Sequence, residues 1–320
     1  MNKAAAMLLL LAATLLLACS ETANTLLPAS SGKPYEVVLT SSDTAAANTV
    51  NEALAKNCIG LPQDEPMFDV IQTGDGMIDA AIRMARAIVV VDTDCTLYHK
   101  AGLQYEKNAY AEPQIVISIS APDNATLRKD MPRLERLLTE LLTRMEMNAA
   151  YKWLDEHNNP VAERTAWNQM HVRTRIAENL TASKQGQDFL WLSNDAAQAM
   201  QNFCLYSYPG NDTSTATFTA KRDSIMKENM PGEKPDMHMK TVKQSVGQRV
   251  VKEKNTVRHC YVGLWEMEGD MMGGPFVAHA LVDSARNRVI VAEGFVYAPE
   301  QNKRNLVRRL EASLYSTRLR

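Results

Sequence analysis

Residues 256–297 read TVRHCYVGLWEMEGDMMGGPFVAHALVDSARNRVIVAEGFVY, and this stretch decides the fold. Its blocks of Val, Ile, Tyr and Trp are broken by Gly and Pro between Gly269 and Pro275 and by polar residues between Asp283 and Asn287. Such blocks, bounded by turn residues, predict β-strands joined in sequence. With the block that starts at Met239 and ends at Lys254-Asn255, the reading is a four-stranded meander from Met239 to Tyr297. A final helix is expected from about Glu300 to Tyr315.

Upstream the pattern alternates. Tyr35 to Leu39 reads as a strand, and Ser41-Ser42-Asp43 caps a helix over Thr44 to Lys56. Strands follow at Phe68–Ile71, Ala87–Val91 and Gln114–Ser120, with a helix between the first two at Met77–Arg86. Leu127, Met131, Leu134, Leu138, Leu141 and Met145 recur at spacings of three and four, which predicts a long amphipathic helix. His157-Asn158-Asn159-Pro160 breaks it before another helix through Leu180. Phe189–Leu192 is a short strand, Ala196–Cys204 reads as helical, and Ala220–Asn229 as a helix. The fold class is α+β, with mixed or antiparallel sheets covered by long helices. Ala121-Pro122-Asp123-Asn124 and Ala298-Pro299-Glu300-Gln301 each follow a strand and begin a helix, leaving open two related α/β halves or a chance likeness of two junctions.

The first nineteen residues give the address. Lys3, an apolar run from Ala4 to Leu17 and the ending Leu16-Leu17-Ala18-Cys19 form a secretory signal. The run is shorter than the ~20 residues a membrane-spanning helix needs. A small residue directly before Cys predicts cleavage at that point and lipidation of Cys19. The organisation expected is a signal peptide over 1–18, a lipid-anchored flexible tether over 19–33, an N-terminal half over 34–183 and a C-terminal half over 184–320.

The chain carries 35 basic and 37 acidic residues, and loss of the signal removes only Lys3 among them, so the mature protein stays mildly acidic. That balance argues against a nucleic-acid partner. Cys58, Cys95, Cys204 and Cys260 are an even set in an oxidising compartment, which leaves disulfides open without fixing a pairing.

Four segments carry a family resemblance: Ser31 to Val37, Gly60 to Pro66, Asn202 to Pro209 and Gly263 to Phe276. Together they resemble an uncharacterised lipoprotein family of the Bacteroidota, domain of unknown function 4837. The resemblance implies export and a lipid anchor, and no activity; only Glu21 supplies an acid straight after Cys19, which favours the periplasmic face of the outer membrane over surface export. It also implies candidate O-glycosylation at Asp followed by Ser or Thr and an apolar residue, which Thr44, Ser224 and Ser284 satisfy.

Phosphate-binding glycine loops are absent, as are G-x-S-x-G and H-E-x-x-H, so no cofactor, metal site or catalytic residue is assigned. The candidate binding loop is Trp265, Glu266, Glu268, Asp270, Met271 and Met272, with Trp265 as an apolar anchor. Its acids offer an alternative reading, a hydrolase acting on envelope glycan or peptide. Met267, Met271 and Met272 with Met237-His238-Met239 offer a weaker one, soft-metal (copper) binding. Phe203, Tyr206 and Tyr208 read as core or as part of a groove. The expected function is a non-enzymatic binding or assembly protein, held to the membrane by its lipid and facing an envelope protein or polymer partner.

Overall fold

A computed structural model describes residues 26–253 and 256–320. The signal peptide and Cys19 lie outside the described residues. The expected tether is already docked at Pro28, whose carbonyl accepts from Glu112 N at 2.9 Å, while Ser31 N donates to Met84 O at 2.7 Å. Backbone groups used in this way end a free linker before Lys33.

The first unit contains β1 (Glu36–Thr40), α1 (Thr44–Leu54), β2 (Asp69–Thr73), β3 (Ala87–Thr93), β4 (Gly102–Lys107), β5 (Ile115–Ala121) and α2 (Asn124–Glu156). The sheet order is β2-β1-β3-β5-β4, parallel except for β4 at the edge. Asp43 caps α1 by accepting from Ala45 N and Ala46 N. Val50 and Leu54 of α1 and Leu127, Leu134 and Leu138 of α2 pack with Leu39, Val89 and Ile117 in one core.

The second unit contains α3 (Pro160–Met170), β6 (Val172–Arg173), β7 (Ala182–Gly186), β8 (Phe189–Ser193), β9 (Met200–Pro209), α4 (Thr215–Asn229), β10 (Met239–Glu253), β11 (Thr256–Met267), β12 (Gly273–Asp283), β13 (Arg288–Tyr297), α5 (Arg304–Ser316) and β14 (Arg318–Leu319). Seven strands form one antiparallel sheet in the order β10-β11-β12-β13-β9-β8-β7, so the expected meander and final helix are present. Helices α3 and α5 contribute to the core on one face, α4 to that on the other. β6 and β14 make a separate two-stranded pair. Gly294 lets α5 lie close on the sheet, since a Cβ there would stand 2.7 Å from Leu310 Cβ.

Helix α5 joins the units. It packs on β12 and β13 on one side and on α2 on the other. Lys303 supplies no side-chain cap. Instead Glu65 of the first unit, buried, accepts from Lys303 N at 2.7 Å and Arg304 N at 2.9 Å. Arg304 reaches back to Asp69 at 2.6 Å and to Pro66 O at 2.7 Å. At the other end buried Arg258 donates to the carbonyls of Leu314, Tyr315 and Thr317, the last at 2.6 Å. A carboxylate at the first turn and a guanidinium at the last both match the helix dipole.

Several sequence expectations are corrected. Met77–Arg86 forms turns, because Ser31 N takes Met84 O and the Gln114 amide takes Arg83 O and Ala85 O, carbonyls a helix would use itself. Helix α3 stops at Met170, where His171 adopts φ 55°, instead of running through Leu180. Ala196–Cys204 is not helical: Asn194 Oδ1 accepts from Gln201 N at 2.9 Å and launches β9, whose residues are buried on both faces. Strand β4 was not expected. The two halves share a strand-to-helix junction but not a topology, one sheet being mostly parallel and the other antiparallel. The changeover of cores falls near Leu154–Ala162, since Ala162, Ala166 and Met170 belong to the second core, not at residues 183/184.

Glu65→Ala should destabilise the protein by about 2 kcal/mol through loss of two charge-assisted bonds at a buried helix start. Urea unfolding of the full chain measures this, and an unchanged midpoint would show that α5 needs no partner at its N-terminus.

Candidate functional site

The loop singled out in the sequence lies between β11 and β12. Met267 N donates to Met272 O at 2.8 Å and Glu268 N to His238 O at 2.8 Å, closing a tight connection. Trp265 does not face solvent: it is 2 % exposed, meets Phe295 edge-on at 5.5 Å and donates from Nε1 to Val296 O at 3.3 Å. The expected anchor is therefore a core residue. Met272 packs against the same core, whereas Met271 is 99 % exposed. Met239 is buried, with its sulfur accepting from Arg222 Nη2 at 3.6 Å, and Met267 and Met272 pack against the same apolar core, so these thioethers are accounted for as packing.

Glu266 and Glu268 are brought together, but onto a cation. Lys240 Nζ lies 3.2 Å from Glu266 and is paired with Glu268 as well. Hydrogen bonding to Lys240 holds the Glu268 carboxyl below its ordinary range. Asp270 accepts from Met271 N and takes no part in this pair. Thr44, Ser224 and Ser284 are all exposed; Asp43 is a helix cap, Asp223 binds Thr241, and Asp283 pairs with Arg286 and Arg288. Phe203, Tyr206 and Tyr208 are buried in the sheet. Cys58, Cys95, Cys204 and Cys260 are unpaired.

Two ionic clusters lie in the second unit, one fully buried and one reaching the surface at Arg249. Arg222 of α4 and Glu293 of β13 are both fully buried and meet at 2.7 Å. Tyr206 donates to Glu293 at 2.9 Å, Thr241 accepts from Arg222 at 2.9 Å, and the Phe276 ring centroid lies 4.3 Å from the guanidinium. Under α5, Glu311 meets Arg308 at 2.7 Å and Arg249 at 3.1 Å, with His279 Nε2 at 3.8 Å. Burial pushes Glu311 up, yet Arg308, His279 and Arg249 outweigh it and hold the carboxyl well below its ordinary range. Burial, with Glu311 and Glu253 adding to it against Arg249, pushes the nearby Cys260 thiol up to about 12, which leaves it unreactive at neutral pH.

An open cleft that the sequence reading missed lies where α3, β6 and β14 meet. It encloses about 600 Å³ and is lined by Tyr151, Trp167, Arg164, Arg173, Arg175 and Arg318 among others. The guanidinium carbons of Arg173 and Arg320 stand 5.3 and 5.6 Å from the Trp167 ring centroid. Arg175 pairs with Asp155 at 2.8 Å and Glu163 at 3.1 Å, and Arg318 with Glu253 at 3.5 Å. Among the described residues, Arg164 and Arg173 have no carboxylate within 4.0 Å. The available signal was the pair of short repeats Arg173-Thr174-Arg175 and Arg318-Leu319-Arg320, far apart in sequence and adjacent in the fold.

Residues 159–316, which carry the α3 side of this cleft and both ion clusters, match the family model Domain of unknown function (DUF4837), so the likeness to that family covers the C-terminal unit. Residues 30–155 match a second model, Domain of unknown function (DUF8532). The DUF4837 match begins at the break between α2 and α3, which is where the packing divides the chain. A comparison with curated proteins finds no match. Among the described residues no helix is long and apolar enough to cross a membrane.

Because the folded-state value of Glu311 is depressed, the stability it contributes is complete above the unfolded value of about 4.3 and is lost as pH falls below it. Unfolding midpoints of the wild type should therefore fall steeply between about pH 4 and pH 2. Glu311→Gln should flatten that fall and cost about 3–5 kcal/mol at pH 7 by stranding Arg308. Parallel acid limbs in the two proteins would remove Glu311 from this role.

Proposed function

We propose that the protein is an exported, lipid-anchored envelope lipoprotein that acts by binding, and that the arginine-lined cleft is its binding surface for an anionic partner. The observation that carries the reading is the charge of that cleft. Arg164, Arg173, Arg175 and Arg318 line it beside Trp167, the Arg320 guanidinium stands 5.6 Å from that ring, and among the described residues the carboxylates paired to them are Asp155, Glu163 and Glu253. Open cationic concavities focus field lines and draw in anions. The Leu16-Leu17-Ala18-Cys19 ending supports the anchor, and with it a place at the periplasmic face of the outer membrane.

The hydrolase reading has less support in the geometry. A glycan-cleaving acid must hold a proton near working pH. Glu268 is instead held as an anion by Lys240, and Glu311 is held ionised out of reach of solvent.

Two measurements test the proposal. Wild-type protein from cells should enter the detergent phase of a cloud-point separation, and Cys19→Ala should stay in the aqueous phase; equal partition would remove the anchor. In crosslinked intact cells, a partner recovered with the wild type should be lost with Arg164→Gln/Arg173→Gln. The same set of captured molecules from both would show that the cleft is not the binding surface.

A further inference from the structure

We infer that the group bound in the cleft is a phosphomonoester, an assignment that rests on the binding reading above and goes further by naming the ligand's chemistry. β6 and β14 form a two-residue antiparallel ladder in which Arg173 stands directly opposite Arg318. Directly paired residues of such a ladder have Cα atoms about 5 Å apart and point to the same side. Like charges in that position repel. Both side chains line the cleft. Arg318 is partly compensated, donating to Thr317 O at 2.9 Å and to Tyr315 O and lying 3.5 Å from Glu253, whereas among the described residues Arg173 has no carboxylate within 4.0 Å.

The position of this pair is fixed from beneath. Thr174 Oγ1 bonds with Thr317 Oγ1 at 3.0 Å, and Ser316 Oγ accepts from Arg175 N at 2.6 Å, so the backbone on both sides of the ladder is tied together. Trp167 holds the Arg173 guanidinium against its ring, which leaves the N–H edge of that plane for an acceptor. The Arg173 guanidinium is therefore held at the cleft with donors still to be satisfied.

A single carboxylate has one charge and two oxygens, enough for one guanidinium fork. A phosphomonoester has a charge of about −1.5 to −2 at neutral pH and three accepting oxygens, enough to bridge two forks. Arg173 and Arg164, neither with a carboxylate within 4.0 Å among the described residues, supply two such forks in one cleft and suit the second. Tyr151 and Trp167 add apolar faces for the body that carries the phosphate.

The test uses the full chain with Cys19→Ala, so that no attached lipid contributes, and calorimetric titration with glucose 1-phosphate against glucuronate, its carboxylate counterpart. Glucose 1-phosphate should bind the more tightly, by about tenfold or more, and its affinity should fall with added salt. Arg173→Gln should weaken it about tenfold while leaving the thermal midpoint unchanged or raised, because the repulsion is relieved. That combination separates a binding role from a structural one. Arg164→Gln, on an exposed helix position without an ion pair, repeats the test if Arg173→Gln fails to fold.

Two arms identify the source of the phosphate. Flotation with vesicles of phosphatidylcholine containing phosphatidic acid, but not with phosphatidylcholine alone, would assign it to a lipid headgroup. Binding of glucose 1-phosphate without flotation would assign it to a soluble or polymer-borne phosphate. Equal affinity for glucuronate overturns the phosphomonoester and leaves the anionic cleft standing. No heat from either ligand, or undiminished binding in Arg173→Gln and Arg164→Gln, overturns the inference, while the crosslinking comparison decides the binding reading on its own.

Discussion

Helix α5 cannot begin without the other half of the molecule. Its first amides have no acceptor in the adjoining sequence, and Glu65, 238 residues earlier, supplies both oxygens from a buried position. Unsatisfied amides at a buried helix start would each cost on the order of 1–3 kcal/mol. The first unit therefore completes the second by supplying this acceptor. Arg258 does the converse at the far end, and it is a residue of the sheet on which α5 lies. A helix fixed at both ends by opposite charges has little freedom to slide, so the face carrying Arg308 and Glu311 is set against α2 and the sheet together.

The two ion clusters follow from the same geometry. A buried charge must be paired and hydrogen-bonded or it costs several kcal/mol, and replacement of such a cluster by apolar residues is often neutral or stabilising. Their value here lies in position. Glu293 accepts from Arg222 and Tyr206, and Arg222 in turn reaches Thr241 of β10, so α4, β9, β10 and β13 can satisfy one another in a single register. A slip of one residue in any of these strands would point Glu293 or Tyr206 to the opposite face. The Glu311 cluster does the same for α5 over β10 and β12.

The strong periodicities were legible in sequence: the meander, the apolar stripe of α2 and the break before Pro160. What was lost had physical reasons. β4 is a mostly exposed edge strand reading Gly-Leu-Gln-Tyr-Glu-Lys, whose apolar alternation is limited to Leu103 and Tyr105. Met77–Arg86 has helical composition, but its carbonyls are taken by Ser31 and Gln114, and no local window contains those competitors. The conspicuous loop after Trp265 drew attention because acids, thioethers and glycines stand together. Lys240 and the core account for most of them. Two signals were available and unread. Glu293 interrupts an otherwise apolar strand, and Arg222 lies between Phe218 and Met226 at spacings of four, on the buried face of α4.

The cleft was hidden for a different reason: its arginines are ordinary surface residues until the fold brings residues 164–175 against residues 318–320. Elsewhere in the second unit, like charges that come close share a partner of opposite sign, as Arg249 and Arg308 share Glu311 and as Glu266 and Glu268 share Lys240. At β6 and β14 two arginines stand in direct register on a ladder only two residues long that gains little from its own hydrogen bonds, and Glu253 answers Arg318 alone. Among the described residues Arg173 and Arg164 keep no carboxylate within 4.0 Å. Violations of local consistency concentrate where a protein meets its ligand, and in this chain those two cations are what the cleft presents to solvent.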